Sequence, residues 1–329
     1  MLKSISVVIP NYNGIHLLEK NLPSVIRALD FTRAEYEIIV VDDCSKDDSV
    51  LFIQANYPTI KLIQNEQNGG FSVSCNRGIE LADKQLILLL NTDIELAENY
   101  FEGQFKYFEK DDTFGVMGKI IGSKYGEVQD TARYITRYGF KIKANNFYYI
   151  KDPDFWTPTA YLSGANALVD AKKIKAIGGF NELFSPFYCE DFELGIRAWR
   201  LGWKCFYHHA SYCMHEQSAT TKNFKTKKWV KSILFRNRLF VHSIHLEKKE
   251  RILWGLQIIF FDCMFLWIAL KFYFYKSVYL FLCSRAKLKK SRAEMDILMK
   301  KQHSTRSVGD VAQEINELMK KAGQNVVFI

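Results

Sequence analysis

Several features that would classify this 329-residue chain at once are missing. It has no C-x-x-C pair. Its seven cysteines (44, 75, 189, 205, 213, 263 and 283) are scattered and odd in number, which argues for a reducing compartment and against a structural zinc site. The apolar run at residues 5–9 is too short for the core of a signal peptide, and no small-residue cleavage site follows it, so a cytosolic catalytic part is expected. No G-x-G-x-x-G follows the first predicted strand, where the chain reads Pro10-Asn11-Tyr12-Asn13-Gly14, and there is no G-x-x-x-x-G-K-[ST] loop. Dinucleotide-dependent hydride transfer and P-loop ATP hydrolysis are thereby excluded. Internal repeats and low-complexity tracts are also lacking. What remains is a globular composition, 48% hydrophobic and 25% charged, long enough to bury a sizeable core.

The net charge of +9 is unevenly spread. Residues 1–221 carry 23 Lys/Arg against 28 Asp/Glu, whereas 222–301 carry 19 against 5, and 302–329 balance at 3 against 3. The basic block is also strongly apolar, a combination that fits an anionic bilayer surface better than nucleic acid, which is not expected as a partner. A boundary near Ala219 divides the chain into a domain at 1–219, a basic apolar helical region at 220–301 and an amphipathic tail at 302–329.

Within the first part, apolar strands alternate with helical spacings. Strands are predicted at 5–10, 36–41, 60–64, 85–90 and 114–122, with helices at 17–29, 47–56, 71–81 and 98–110. This is the pattern of an α/β fold with a mostly parallel central sheet flanked by helices. Residues 124–160 read as hairpins and loops, followed by helices at 171–177 and 190–201 and a strand at 204–208.

In such sheets, ligands bind beyond the carboxyl ends of the strands, and here every strand end is polar. Strand one runs into Pro10-Asn11-Tyr12, strand two into Asp42-Asp43, strand three into Asn68-Gly69-Gly70-Phe71 opening a helix, and strand four into Asn91-Thr92-Asp93. Aspartates for base or ribose hydrogens and a Gly-Gly turn at a helix N-terminus together describe a nucleotide site. The turn's amides would favour phosphate. A strand-end Asp93 alone often just caps a turn, but in this company it is a candidate for holding a hard cation on a diphosphate. Further on, "YCEDFELGIR" places Glu190, Asp191 and Glu193 within four residues. They can stabilise a helix dipole or furnish an active-site carboxylate.

Taken together, "SVVIPNYNG", "VVDDCSKDDS", "NGGFSVSCNRGI", "LLLNTDIEL", "YLSGANALVDAKKIKAIGGFNE", "FYCEDFELGIRAWRLGWK" and "YCMHEQSAT" resemble, block by block and in order, the inverting family 2 glycosyltransferases of the GT-A fold, especially their rhamnosyltransferase-like bacterial branch. The resemblance runs from Ser4 to about Ala219. It implies that Tyr12 and Pro10 lie against a nucleotide base and that Asp42 and Asp43 bond base and ribose. It also implies that Asn68, Gly69, Gly70, Phe71 and Asn76 line the nucleotide and sugar. Asn91, Thr92 and Asp93 occupy the family's D-x-D, with Asn replacing the first carboxylate. Asp93 would bind a divalent cation, Mg²⁺ or Mn²⁺, and His215 would complete its shell unless it is simply a satisfied strand-end histidine. Gly164, within Ser163–Asn166, would floor the site. Asp191 would be the general base, with Glu190 placing it or the acceptor, while Glu193 pairs with Arg197 one helical turn on.

The activity implied is metal-dependent transfer of a sugar from dTDP-rhamnose or a UDP-hexose to a lipid-linked or cell-surface polysaccharide acceptor. Two rivals stand beside it. A sugar-nucleotide pyrophosphorylase would need a Gly-rich G-x-G-[ST]-R loop after strand one, which is absent; an inactive membrane scaffold has only Asn91 in its favour. Residues 252–270 form a nineteen-residue apolar run with Asp262 as its single charge, flanked by basic segments on both sides. The central charge and the two basic flanks argue for in-plane attachment to the cytoplasmic membrane face rather than a crossing. The alternative uses of the run are a hairpin through the bilayer or a homo-oligomer interface.

Overall fold

The computed structural model describes residues 3–216, 226–268 and 271–329. Ala219, the start of the 222–238 basic flank and the last residues of the 252–270 run lie outside the described residues.

The early strands β1 (Ile5–Asn11), β2 (Tyr36–Asp42), β3 (Lys61–Gln64) and β4 (Leu86–Leu90) pair in parallel in the order β4-β1-β2-β3. Between them run helices α1 (Ile15–Thr32), α2 (Ser49–Asn56) and α3 (Phe71–Leu81). All five residues of β4 are buried, as expected for a strand covered on both faces. Next come β5 (Ile94–Leu96), β6 (Thr113–Gly122), β7 (Val128–Asp130), the hairpin β8 (Ala132–Tyr138) and β9 (Lys141–Ile150), and the short β10 (Thr157–Pro158). Then follow β11 (Asn166–Asp170), helix α4 (Ala171–Ala176), helix α5 (Glu190–Arg200) and β12 (Lys204–His215).

The sheet is mixed rather than mostly parallel in its connectivity. β11 inserts between β4 and β6, antiparallel to both, and β5, β7 and β10 pair antiparallel at the margin. Two further predictions need correction. No long helix spans 98–110; the chain turns at Gly103 (φ +77°), where a Cβ would meet the His208 ring at 2.7 Å, and only a short 3₁₀ turn at Phe105–Glu109 remains. The strand predicted at 204–208 continues to His215 through a register shift between His208 and Tyr212.

From residue 227 to 322 the described chain is mainly helical. It forms α6 (Lys227–His245), α7 (Lys248–Gln257), a π-helical turn (Ile258–Cys263), α8 (Met264–Ile268), α9 (Tyr273–Cys283), α10 (Arg285–Lys301) and α11 (Val308–Ala322). Leu239, Phe240 and Val241 of α6 share one core with Phe184 and Trp199 of the N-terminal part. Helix α11 starts with a Ser307/Asp310 capping box and buries Val308, Val311 and Ile315 in that same core. The last strand, β13 (Val326–Phe328), adds to the β8–β9 hairpin. The sharp change in charge along the chain therefore does not mark a gap in the core.

Candidate active site

The carboxyl end of β4 releases Asn91-Thr92-Asp93 into a tight turn before β5. Pairing of β5 with β12 sets His215 opposite Ile94, and the Glu216 amide bonds the Asp93 carbonyl at 3.0 Å. Backbone register thus delivers His215 Nε2 to 3.3 Å from Asp93 Oδ2. On the other side of the ring, His215 Nδ1 lies 2.5 Å from Gln129 Oε1. An N–H on Nδ1 donates there and leaves the Nε2 lone pair free, the tautomer a metal ligand needs. The other oxygen of Asp93, Oδ1, is buried with no hydrogen-bond partner among the described residues. A carboxylate oxygen left without a donor and an imidazole with its lone pair exposed fit a divalent cation. Among the described residues no group of three His, Cys, Asp or Glu gathers to hold a metal, so an ion here would draw its other ligands from substrate oxygens and water.

Beside this pair lies a cleft of about 200 Å³, lined from one direction by Pro10, Tyr12, Asp43, Asn68, Gly70 and Phe71, and from another by Asn91, Thr92 and Asp93. The third wall is formed by Pro186, Phe187 and Tyr188, none of which is among the expected site residues. Four residues expected in this group stand behind it. The Asp42 carboxylate accepts from Asn11 Nδ2 and the Ser45 amide, both at 2.9 Å, and locks the turn after β2. Asn76 braces the 180–182 loop, its Nδ2 donating to the Phe180 carbonyl and Glu182. Gly69 packs on Val73, and Gly164 lies beneath Phe71, whose ring tip an added Cβ would meet at 3.0 Å.

The amides of the Gly-Gly turn are also committed. Gly69 N and Gly70 N donate to the two oxygens of Asp43 at 2.9 and 2.8 Å, and Phe71 N bonds the Pro186 carbonyl. The structure therefore corrects the expectation that this turn offers its amides to phosphate: it folds this side of the cleft around Asp43.

The loop entering α5 passes through two consecutive non-glycine residues in left-handed backbone, Tyr188 (φ +77°) and Cys189 (φ +69°), the sort of strain that surrounding structure must hold. Asn237 of α6 supplies the hold. Its side-chain amide donates among the carbonyls of Phe184, Phe187 and Tyr188 at 2.7 to 2.9 Å, and Arg236 donates to the Ser185 carbonyl. Helix α5 then begins with Glu190 and Asp191. Asp191 Oδ1 accepts from its neighbouring Phe192 amide at 2.7 Å. Burial raises the Asp191 carboxyl to about 6, with the nearby Asp130 charge adding to the rise and the Phe192 amide and Arg133 opposing it. Burial, reinforced by the Asp191 charge, pushes Glu190 well above the carboxylate range, and its Oε2 has no partner among the described residues. Two adjacent carboxyls held apart in proton affinity is an acid–base arrangement.

Glu193 behaves differently. It meets Arg197 at 3.0 Å and His245 at 3.2 Å, a fully buried structural network in which these partners outweigh burial and keep its carboxyl low.

Comparison with known proteins resolves what chemistry this frame belongs to. The sequence profile described as "Glycosyl transferase family 2" matches residues 6–178. The chain belongs to this family. As a family 2 glycosyltransferase it moves sugar from a nucleotide sugar.

Among its relatives, the N-acetylglucosaminyl-diphospho-decaprenol L-rhamnosyltransferase of Mycobacterium tuberculosis is 24% identical over 242 residues, 65% of this chain and 76% of that protein. The poly(ribitol-phosphate) β-N-acetylglucosaminyltransferase TarP of Staphylococcus aureus is 24% identical over 177 residues, 53% of this chain and 52% of that one. Among solved structures, GalNAc-T7 with UDP, GalNAc and Mn²⁺ superposes with a TM-score of 0.64 at 17% identity, covering 97% of this chain and 58% of that one. S. aureus TarS residues 1–349 with UDP-GlcNAc gives 0.54 at 18%, covering 78% and 73%. The fold of this family 2 enzyme is thus the α/β GT-A glycosyltransferase fold.

Proposed function

We propose that this family 2 enzyme is an inverting, metal-dependent transferase acting at the cytoplasmic face of the membrane. It would carry a sugar from a nucleotide diphosphate, dTDP-rhamnose or a UDP-hexose, to a lipid-linked or polysaccharide acceptor. The observation that supports this most is the division of labour across Tyr188. That residue borders both the cleft of Asp43 and Asp93 and a separate cavity into whose wall Asp191 is set.

The donor's base lies by Tyr12 and Asp43, and its diphosphate by Asp93. A divalent cation, Mg²⁺ or Mn²⁺, when held by Asp93 and His215, supplies positive charge against the diphosphate. The acceptor hydroxyl enters from the other cavity. Asp191 takes its proton as the oxygen bonds the anomeric carbon from the face opposite the diphosphate. The carbon–oxygen bond to the diphosphate breaks, its electrons leave with the nucleotide, and the anomeric configuration inverts. Glu190, kept neutral beside it, would place that carboxylate or the acceptor.

Attachment to the membrane draws support from the 252–270 run. Among the described residues no helix is long and apolar enough to cross a membrane, and the run breaks into α7, the π turn and α8. Ile252, Leu256, Ile259, Phe260, Phe261 and Phe265 stand exposed along it. Wetted apolar side chains beside basic helices describe a surface that lies in an anionic interface. The testing experiment is a thermal-shift panel of UDP-, dTDP- and GDP-sugars with and without Mn²⁺ or Mg²⁺. A stabilisation confined to nucleotide sugars with a cation present is expected. No response to any donor overturns the assignment of the cleft.

A further inference from the structure

Asp43 owes its setting to a chain of side chains that runs behind the cleft to the protein surface. Strand β3 ends at Gln64, and the next residue, Asn65, is buried. Its Nδ2 donates to Asp43 Oδ1 at 2.6 Å and to Ser74 Oγ of α3 at 3.0 Å. Its Oδ1 accepts from Arg77 Nη1 at 2.5 Å, and the same nitrogen donates to the Gln64 carbonyl at 3.1 Å. Arg77 itself is exposed on α3. A guanidinium only donates, so it holds the amide oxygen of Asn65 toward itself and leaves Nδ2 for Asp43. Without that cation the amide has two orientations, and one of them turns an oxygen on the carboxylate. The acceptor capacity of Asp43 is then nearly filled. Oδ1 takes Asn65 Nδ2 and the Gly69 amide, and Oδ2 takes the Gly70 amide. A carboxylate has about four acceptor directions, so one remains, on Oδ2. Asp43 lines the cleft, and Asn65 stands behind it.

We propose that Asn65 and Arg77 are positioning residues that select the donor's base by fixing Asp43. They hold the carboxylate so that its remaining acceptor direction receives one ring N–H. Uracil and thymine offer that hydrogen at N3 and guanine at N1, whereas cytosine and adenine present a lone pair at the matching atom. A fixed carboxylate repels that lone pair. A carboxylate free to turn would meet the exocyclic amine of cytosine or adenine instead. Fixation, rather than charge alone, therefore supplies the discrimination. The inference rests on the donor reading of the cleft given above and deepens it.

Calorimetric titration of the full chain with UDP, dTDP, GDP, CDP and ADP, Mn²⁺ present, tests this in the wild type, Asn65→Ala, Arg77→Met and Arg77→Lys. The wild type should prefer the tightest of UDP, dTDP and GDP over CDP and ADP by about tenfold or more, the scale of a hydrogen bond to a charged group. Asn65→Ala and Arg77→Met should lose most of that preference, and Arg77→Lys, which keeps a donor, should retain part of it. A merely structural role would weaken all five nucleotides in proportion and leave the preference intact, and that result would overturn the inference. So would a wild type that takes CDP or ADP as readily as the other three. Should Asn65→Ala fail to fold, Arg77→Met, made at an exposed site, carries the test alone. Binding of none of the five removes the donor reading itself, whereas a preference that the variants keep removes only the roles of Asn65 and Arg77.

Discussion

Lys141 Nζ and Asp262 Oδ1 meet at 2.5 Å, joining the β8–β9 hairpin of the transferase domain to the π turn of the basic, apolar region. The only charge in the 252–270 run therefore points inward to a partner, not outward to lipid. With that charge turned inward, the exposed side chains of the run among the described residues are apolar.

Membrane attachment should respond to these two contributions separately. Liposomes containing anionic lipid should float the protein, and 1 M salt should release only part of it, because the Debye length there is about 3 Å and only charge is screened. Phe260→Ser with Phe261→Ser should release most of it without shifting the melting temperature downward, both rings being exposed. A fully soluble wild-type protein that does not float would transfer this face to a homo-oligomer interface.

Asp93→Ala should abolish cation-dependent donor binding, and His215→Ala should weaken it, since their contact at 3.3 Å presents one oxygen and one nitrogen to a shared point. The check is nucleotide-sugar affinity with and without chelator. Affinity that ignores both the chelator and Asp93→Ala would exclude the metal site.

Asp191→Asn should leave nucleotide binding intact while turnover falls by ~10²–10⁴, the usual worth of a general base. In the wild type, kcat/KM should rise as pH climbs through about 6, where the Asp191 carboxyl loses its proton, and then level off. The same substitution should raise the melting temperature at pH 8. A carboxyl whose folded pKa lies above its unfolded value destabilises the native state once ionised, and the amide removes that charge. Turnover within a few-fold of wild type would move the base elsewhere.

Acid should act on the hinge between hairpin and helix through His242. Its Nε2 accepts from the Ile142 amide at 2.9 Å and its Nδ1 faces the Arg238 carbonyl at 2.6 Å, so the buried ring is neutral, and burial lowers it to about 4. Below the unfolded value of about 6.5 the unfolded chain binds the proton first. Stability should therefore fall as pH drops from about 6.5 toward 4. Urea melts across that window should show the loss, and His242→Gln should flatten the slope, though His208 and His245 contribute in the same direction.

Asn237→Ala should cost about 1–3 kcal/mol of stability by leaving the carbonyls of the 184–188 loop unpaired. Because that loop walls the cleft of Asp43 and Asp93, where the donor is proposed to bind, nucleotide affinity should fall too. Denaturation and donor titration of the same variant check both effects, and unchanged donor affinity would detach α6 from the site.

Much of this arrangement was legible in the chain because it is local. Strand periodicity located the parallel strands, and polar strand ends mark the cleft edge where Asp43, Asn91 and Asp93 gather. The failures have physical sources. Polar groups at a strand end serve the turn as readily as a ligand, and nothing in the order of residues says that Asp42 and Asn76 are consumed by Asn11, Ser45 and the 180–182 loop. The insertion of β11 between β4 and β6 is a long-range pairing of five residues, which no local spacing encodes. The turn at Gly103 did carry a signal, the glycine itself, which a helical apolar pattern on either side obscures. Phe187 and Tyr188 wall the cleft with their carbonyls held by an asparagine some fifty residues on, a pairing no local pattern encodes.

Gly195, one turn along α5 from Asp191, has no room for any side chain: a Cβ there would stand 2.4 Å from Cβ of Tyr161 and 2.8 Å from the Ala160 carbonyl. Two backbones are pressed to their limiting distance, and the helix is seated against a hard stop. Such a stop behaves like the datum face of a machined part. The carboxylate one turn earlier on the same face inherits its position from this contact, so in the proposed reaction a residue with no part in the chemistry would fix the reach of Asp191. Gly195→Ala, a change of one methyl group, should therefore push α5 off its seat and lower stability and turnover together.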